Sequence, residues 1–167
     1  MDITQKATQI KLLILDVDGV MTEGQILLDS HGEEIKVFNV KDGQGLRLLM
    51  RAGIDVAIIS GRRSKALQFR AEELKISEAY QAVDDKGAIC QELCRRKKLT
   101  QKQVCCMGDD LPDLPLFSQA GLSIAVADAA AEVLEAADFI TEHRGGKGAV
   151  REACELILKA QKKWPTV

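Results

Sequence analysis

Apolar residues fall into two kinds of run along this chain. Ile10–Leu15, Asp55–Ser60, Val104–Met107 and Leu122–Val126 are short blocks rich in aliphatic residues and closed by polar residues or glycine. Such blocks predict buried strands. Between them lie longer segments with apolar residues at helical spacing. They are Gln44–Ala52 with Leu46, Leu49 and Met50, and Ser64–Leu74 with Ala66, Leu67 and Phe69. Lys86–Lys97 follows with Ile89, Leu93 and Cys94 turned inward, then Ala129–Ala137, and Ala149–Lys163 with Val150, Cys154, Ile157 and Leu158. Pro112 suits the first turn of a short helix through Phe117, and Ala79–Ala82 and Phe139-Ile140 read as short strands. Residues 1–9 are polar and read as a frayed lead-in.

Two pieces depart from the alternation. Gln25–Leu28 and Glu34–Phe38 are β-prone and flank Asp29-Ser30-His31-Gly32, a turn sequence, so a hairpin is expected there. It is too short to be stable alone and must pack on the body or on another subunit. Asn39–Gly43 then reads as a polar elbow. Elsewhere strands alternate with helices, which calls for an α/β, doubly wound parallel sheet covered on both faces, with right-handed crossovers. A length of 167 residues suits one domain.

Composition narrows the function. The chain is 46% hydrophobic and 29% charged with a formal net charge of −2. That balance attracts neither nucleic acid nor an anionic membrane. No apolar run approaches the roughly 20 residues of a membrane span. The start lacks a basic-then-apolar signal pattern, so a cytoplasmic location is expected. Five cysteines (Cys90, Cys94, Cys105, Cys106, Cys154) with no paired C-x-x-C knuckle read as buried thiols, not a disulfide framework or a zinc site. Arg95-Arg96-Lys97-Lys98 sits at a helix C-terminus, where cations oppose the dipole.

The chemistry gathers at strand ends. The first strand runs into Asp16-Val17-Asp18-Gly19, and positions i and i+2 share a face. Alone, D-x-D-G reads equally well as a cap and a turn. The second strand, however, ends in Ser60-Gly61-Arg62, the Val83–Gly87 loop delivers Lys86 at a helix start, and the Val104–Met107 strand delivers Asp109 and Asp113. Parallel strands put all these ends on one sheet edge, where open α/β sheets bind ligands. Three carboxylates invite a hard cation, most simply Mg²⁺. Lys86, Ser60 and the Gly61 backbone supply donors for an anion, and together the set suits phosphoryl transfer.

In order and spacing these segments resemble the four motifs of the haloacid dehalogenase superfamily. The resemblance spans nearly the whole chain, and Asp two residues after the first motif's nucleophile marks the phosphatase branch. It implies that Asp16 attacks phosphorus and that Asp18 serves as general acid and base. It further implies that Asp16, Asp109 and the Asp18 backbone carbonyl hold Mg²⁺, that Lys86 and Ser60 hold the phosphoryl group, and that Asp113 orients metal-bound water or braces Lys86.

About 40 residues separate Asp18 from Ser60 and 25 separate Ser60 from Lys86, which leaves no room for a large cap domain. Phe38–Gly45, Ser60-Gly61-Arg62 with Arg70, Gly108-Asp109-Asp110 and Gly145–Glu152 closely resemble the capless 3-deoxy-D-manno-octulosonate 8-phosphate phosphatase family. That resemblance implies a homotetramer with hairpins at its centre and a neighbouring subunit over each site, acting in lipopolysaccharide assembly. It assigns Asp18, Asn39, Val40, Lys41, Asp42, Gly43, Arg47, Gly61, Arg62 and Arg70, with Ser60 and Lys86, to the substrate. Related phosphatases of nine-carbon sugar acid 9-phosphates are similar too. Some carry Glu directly after the second-motif glycine and Lys eleven residues later, where this chain has Arg62 and Glu73, which favours the eight-carbon substrate. A receiver-like phosphoacceptor module is the non-enzyme alternative, but its acceptor Asp would lie on a middle strand.

Overall fold

The computed structural model describes residues 2–165. The elements in chain order are α1 (Ile3–Thr8), β1 (Leu12–Leu15), β2 (Leu27–Leu28), β3 (Glu34–Ile35), α2 (Val40–Arg51), β4 (Asp55–Ile59), α3 (Lys65–Leu74) and β5 (Glu78–Tyr80). They continue with α4 (Lys86–Lys97), β6 (Val104–Gly108), α5 (Leu114–Phe117), β7 (Leu122–Ala125), α6 (Ala131–Ala136), β8 (Phe139–Ile140) and α7 (Ala149–Ala160). Six strands form one sheet in the order β5-β4-β1-β6-β7-β8, and every neighbouring pair is parallel. The expected doubly wound architecture, with a hairpin and no cap domain, is what forms.

Alternation along the strands divides the core. Leu13, Leu15, Val56, Ile58, Cys105, Met107, Leu122 and Ile124 face one side and pack with residues of α1, α2, α3 and α7. Leu12, Ile14, Ala57, Ile59, Val104, Cys106 and Ala125 face the other and pack with α4, α5 and α6. β1 is buried along its whole length, which is why its sequence is continuously apolar. Burying each such side chain contributes about 1.5–3 kcal/mol. The chain winds outward from β1 to β4 and β5, then returns to β6 and winds the other way. The reversal lies between β1 and β6, so the crevice for a ligand opens at their carboxyl ends.

Three expectations need correction. The stretch read as a frayed lead-in contains a helix, α1, whose Ala7 is buried; Met1 lies outside the described residues. Gln161 beyond α7 donates to the Ala7 and Ile10 carbonyls and ties the segment down. The polar elbow Asn39–Gly43 is the cap and first turn of α2, because Asn39 Oδ1 accepts from the Lys41 and Asp42 amides at 2.8 and 3.3 Å. Gly45 lies within α2. It is needed for close helix contact, since a Cβ there would stand 3.1 Å from Arg151 Cδ and 3.2 Å from Cys154 Cβ on α7. Finally, α7 stops at Ala160, where Lys162 turns to φ +57°. The five cysteines are free thiols, and all but Cys94 are buried.

The β2–β3 hairpin pairs Leu27 with Ile35 and Leu28 with Glu34. Asp29 Oδ1 closes its turn by accepting from the His31 and Glu33 amides. Ile26, Leu28, Ile35 and Val37 are each more than half exposed. On the face away from Ile35 and Val37, two side chains, Lys36 and Glu34, turn inward.

Candidate active site

Local sequence fixes where each reactive group stands. Past the end of β1, the Asp16 amide still donates to the Met107 carbonyl of β6 at 3.1 Å, so Asp16 leaves the sheet in register. Asp85 caps α4 by accepting from the Ala88 amide at 3.0 Å, which makes Lys86 its first residue. Beyond β6, Asp113 Oδ2 accepts from the Asp109 and Asp110 amides at 3.0 and 3.3 Å and folds that loop back. The Ser60 carbonyl accepts from the Val83 amide and the Arg62 carbonyl from the Ala82 amide, which joins the second motif to the loop before Lys86. Gly19 lies at φ +93°, and a Cβ there would overlap Asp109 Oδ2 at 2.0 Å, so the turn after Asp18 demands glycine. The glycine-rich loop before α7 supports that turn from below through Gly146, whose amide donates to the Val20 carbonyl at 2.9 Å.

The result is a cleft of about 230 Å³ lined by Asp16, Asp18, Ser60, Gly61, Arg62, Lys86, Asp109 and Asp113, with Asp110 and Pro112 at its edge. Lys86 Nζ donates to Asp16 Oδ1 at 2.6 Å and to Asp113 Oδ1 at 2.7 Å. Oxygens of Asp16, Asp109 and Asp113 all lie within 4.8 Å of one another. Burial first, then the Asp113 charge, pushes the Asp16 carboxyl up to about 6 despite the adjoining ammonium. Burial, followed by the charges of Asp16 and Asp113, pushes Asp109 up to about 8. Burial disfavours the Lys86 charge, yet Asp16 and Asp113 hold its affinity for the proton above the ordinary lysine value. The cluster therefore carries more negative charge than one ammonium offsets, and a divalent cation fits it.

Asp18 turns away from this cluster. Its Oδ1 meets Lys36 Nζ, and its Oδ2 lies 3.7 Å from Arg62 Nε. Glu34 joins both cations, and its Oε2 accepts from Arg62 Nη2 at 2.9 Å. Sequence reading missed Lys36 and Glu34. The signal was present in the hairpin, where these polar positions alternate with Ile35 and Val37.

The other predicted substrate residues do not line this chain's own cleft. Asn39 caps α2, and Val40 is 83% exposed. Lys41 follows in the first turn, and the position of a Cβ on Gly43 is occupied by Arg70. Asp42 is buried and accepts from the Arg151 amide at 2.8 Å, which anchors the start of α7. Arg47 and Arg70 both pair with Glu73, and Arg70 also reaches the Asn39 carbonyl and stacks on Phe38.

Residues 76–152 match the family model of haloacid dehalogenase-like hydrolases. The chain is 51% identical over 162 residues to 3-deoxy-D-manno-octulosonate 8-phosphate phosphatase KdsC of Yersinia pestis, covering 97% of this chain and 87% of that protein. This chain belongs to the 3-deoxy-D-manno-octulosonate 8-phosphate phosphatase family. The Escherichia coli K12 member of the family is 44% identical, with coverage of 97% and 86%. The Yersinia pestis crystal structure superposes with a TM-score of 0.95 over 97% of this chain and 88% of that one. So does the Moraxella catarrhalis family member at 45% identity, covering 97% and 93%; that protein was crystallised with magnesium ion, phosphate ion and KDO. The family's members are phosphoric monoester hydrolases, as the resemblance implied.

Proposed function

We propose that this chain is a magnesium-dependent phosphatase that hydrolyses 3-deoxy-D-manno-octulosonate 8-phosphate to the free sugar acid and phosphate for lipopolysaccharide biosynthesis. The observation that carries it is the ionic contact of Lys86 with Asp16, 2.6 Å long, inside a carboxylate cluster with excess negative charge. Asp16, Asp109 and the Asp18 backbone carbonyl would hold the magnesium ion, which when bound offsets charge on the transferring group.

The chain's own residues divide the work as follows. Asp16, as the carboxylate, attacks phosphorus as the bond from phosphorus to the sugar oxygen breaks. Asp18 gives its proton to the departing alkoxide. A water oxygen then bonds to phosphorus, its proton passes to Asp18, and the acyl phosphate bond to Asp16 breaks. Lys86, Ser60 and the Gly61 amide hold the phosphoryl oxygens. Asp113 keeps Lys86 in place, since both its oxygens are already engaged.

The whole chain acts as one domain, in the cytoplasm, as a homotetramer. The exposed apolar residues of the hairpin support the assembly, because Ile26, Leu28, Ile35 and Val37 are each more than half exposed. Asn39–Gly43, Arg47 and Arg70 then serve the sugar acid in a site completed across subunits, together with Arg62. Among the described residues no helix is long and apolar enough to cross a membrane.

A panel of phosphorylated sugar acids assayed with Mg²⁺ tests the reading, with Asp16→Asn as control. The eight-carbon 8-phosphate should turn over fastest, and the variant should lose on the order of 10⁴-fold or more. Preference for a nine-carbon 9-phosphate would move the chain to the related phosphatases, and stoichiometric labelling without turnover would make it a phosphoacceptor.

A further inference from the structure

We propose that Lys36, reaching in from the hairpin, is the positioning residue of Asp18. The proposal rests on the acid–base reading of Asp18 given above. It starts from an inverted pattern. Ile35 and Val37 are 52% and 64% exposed, while the side chain of Lys36 between them is 2% exposed. Lysines on a two-stranded hairpin ordinarily extend their ammonium into water. Removing it from water costs several kcal/mol before pairing, so the partners explain the placement.

Those partners form a closed ring. Lys36 Nζ meets Asp18 Oδ1 and Glu34 Oε1, while Arg62 stands 3.7 Å from Asp18 Oδ2 and 2.9 Å from Glu34 Oε2. Each oxygen of Asp18 thus faces a cation from a different segment, one from the hairpin and one from the second motif. The four formal charges cancel, so the ring imposes direction without a large net field. Asp18 needs that direction. Unlike Asp16, which stays in register with β6, it sits in the turn that opens at Gly19, where no sheet hydrogen bond sets its carboxylate. A misplacement of about 1 Å in such a group costs about 100-fold in rate.

The test uses the full chain with Mg²⁺ and measures kcat/KM, which reports the steps up to loss of the alcohol. Substrates are the sugar acid 8-phosphate and an aryl series of p-nitrophenyl, p-chlorophenyl and phenyl phosphate, whose leaving groups need increasing help from an acid. Lys36→Met should lower kcat/KM for the sugar ester about 10- to 100-fold. It should barely change p-nitrophenyl phosphate and should steepen the dependence on leaving group across the series. Lys36→Arg should restore most of the loss. Glu34→Gln, which keeps the hairpin's apolar face and both cations, should give a smaller change of the same kind. Equal losses on all esters in both Lys36→Met and Glu34→Gln would mark a structural or substrate-binding role and overturn the proposal. Asp18→Asn separates the two readings. If it shows the steepened dependence while Lys36→Met does not, the positioning role alone fails; if it shows none, the acid–base assignment fails and the proposal falls with it.

Discussion

Lys86 Nζ and Asp16 Oδ1 are 2.6 Å apart with their side chains 6% and 9% exposed, and this contact ties the start of α4 to the end of β1. Few single pairs carry as much of the site, since Lys86 is also the ammonium facing Asp113 at 2.7 Å. Lys86→Met keeps the length of the side chain and removes the charge. Two buried carboxylates are then left without their counter-ion, which should cost about 3–5 kcal/mol of stability, measured by denaturant unfolding in chelator. Turnover should fall roughly 10³-fold, because an oriented cation on the phosphoryl oxygens is lost as well. A variant that kept its rate would remove Lys86 from the phosphoryl site.

The same cluster sets a pH dependence in the metal-free protein. Asp109 and Asp16 have folded-state affinities raised to about 8 and about 6 from the ordinary carboxylate value of 3.8. Between that value and about 8 the folded protein binds more protons than the unfolded chain, so its stability declines as pH rises through this window. With chelator present, Tm should fall between pH 5 and pH 8. Mg²⁺ needs the carboxylates ionised and takes the place of the protons, so its stabilising effect should be larger at pH 8 than at pH 5. Calorimetry at the two pH values, with and without Mg²⁺, checks both signs. An Mg²⁺ effect independent of pH would place the ion away from Asp16 and Asp109.

Much of this was legible in the sequence because strand ends are local signals. A continuous apolar block followed by Asp16-Val17-Asp18-Gly19 announces both the buried β1 and its exit, and Asp85-Lys86 announces a capped helix start. What escaped depends on contacts between distant segments. Nothing near Ile3–Thr8 says that Gln161 will bind its last turn. Gly43 and Gly45 weigh against a helix by propensity, and only the approach of Arg70 and α7 explains them. Lys36 showed the correct period, but its direction was set by Asp18, which is far from it in sequence.

Gly45 gives a test of that packing. Its missing side chain lets α2 approach α7, with Arg151 Cα 3.3 Å from where a Cβ would stand. Gly45→Leu must push the helices apart or force Arg151 and Cys154 off their rotamers, at a cost of about 1–3 kcal/mol by denaturant unfolding. Gly45→Ala should cost less, because the helix gains about 1 kcal/mol of propensity that offsets the tight contact. If Gly45→Leu were as stable as the parent, α2 and α7 would not be held by this contact.

The hairpin carries inward charged side chains and uncovered apolar ones, and their roles should separate in experiment. Glu33, Glu34 and Lys36 tie it to Lys65, Arg62 and Asp18 of its own chain, while Ile26, Leu28, Ile35 and Val37 stay uncovered. Burying such side chains against other subunits contributes about 1.5–3 kcal/mol each, so charges placed there should dissociate the proposed tetramer. Ile35→Glu with Val37→Lys, both on the face away from Glu34 and Lys36, is expected to lower the mass seen by light scattering without changing the ion pairs of the inner face. If Asn39–Gly43, Arg47 and Arg70 act across subunits, KM for the sugar ester should rise as the mass falls. The rate on p-nitrophenyl phosphate, which needs only the inner cleft, should change little. A double variant of unchanged mass would place the subunit contacts elsewhere. Dissociation without any change in KM would confine the substrate to residues of one chain.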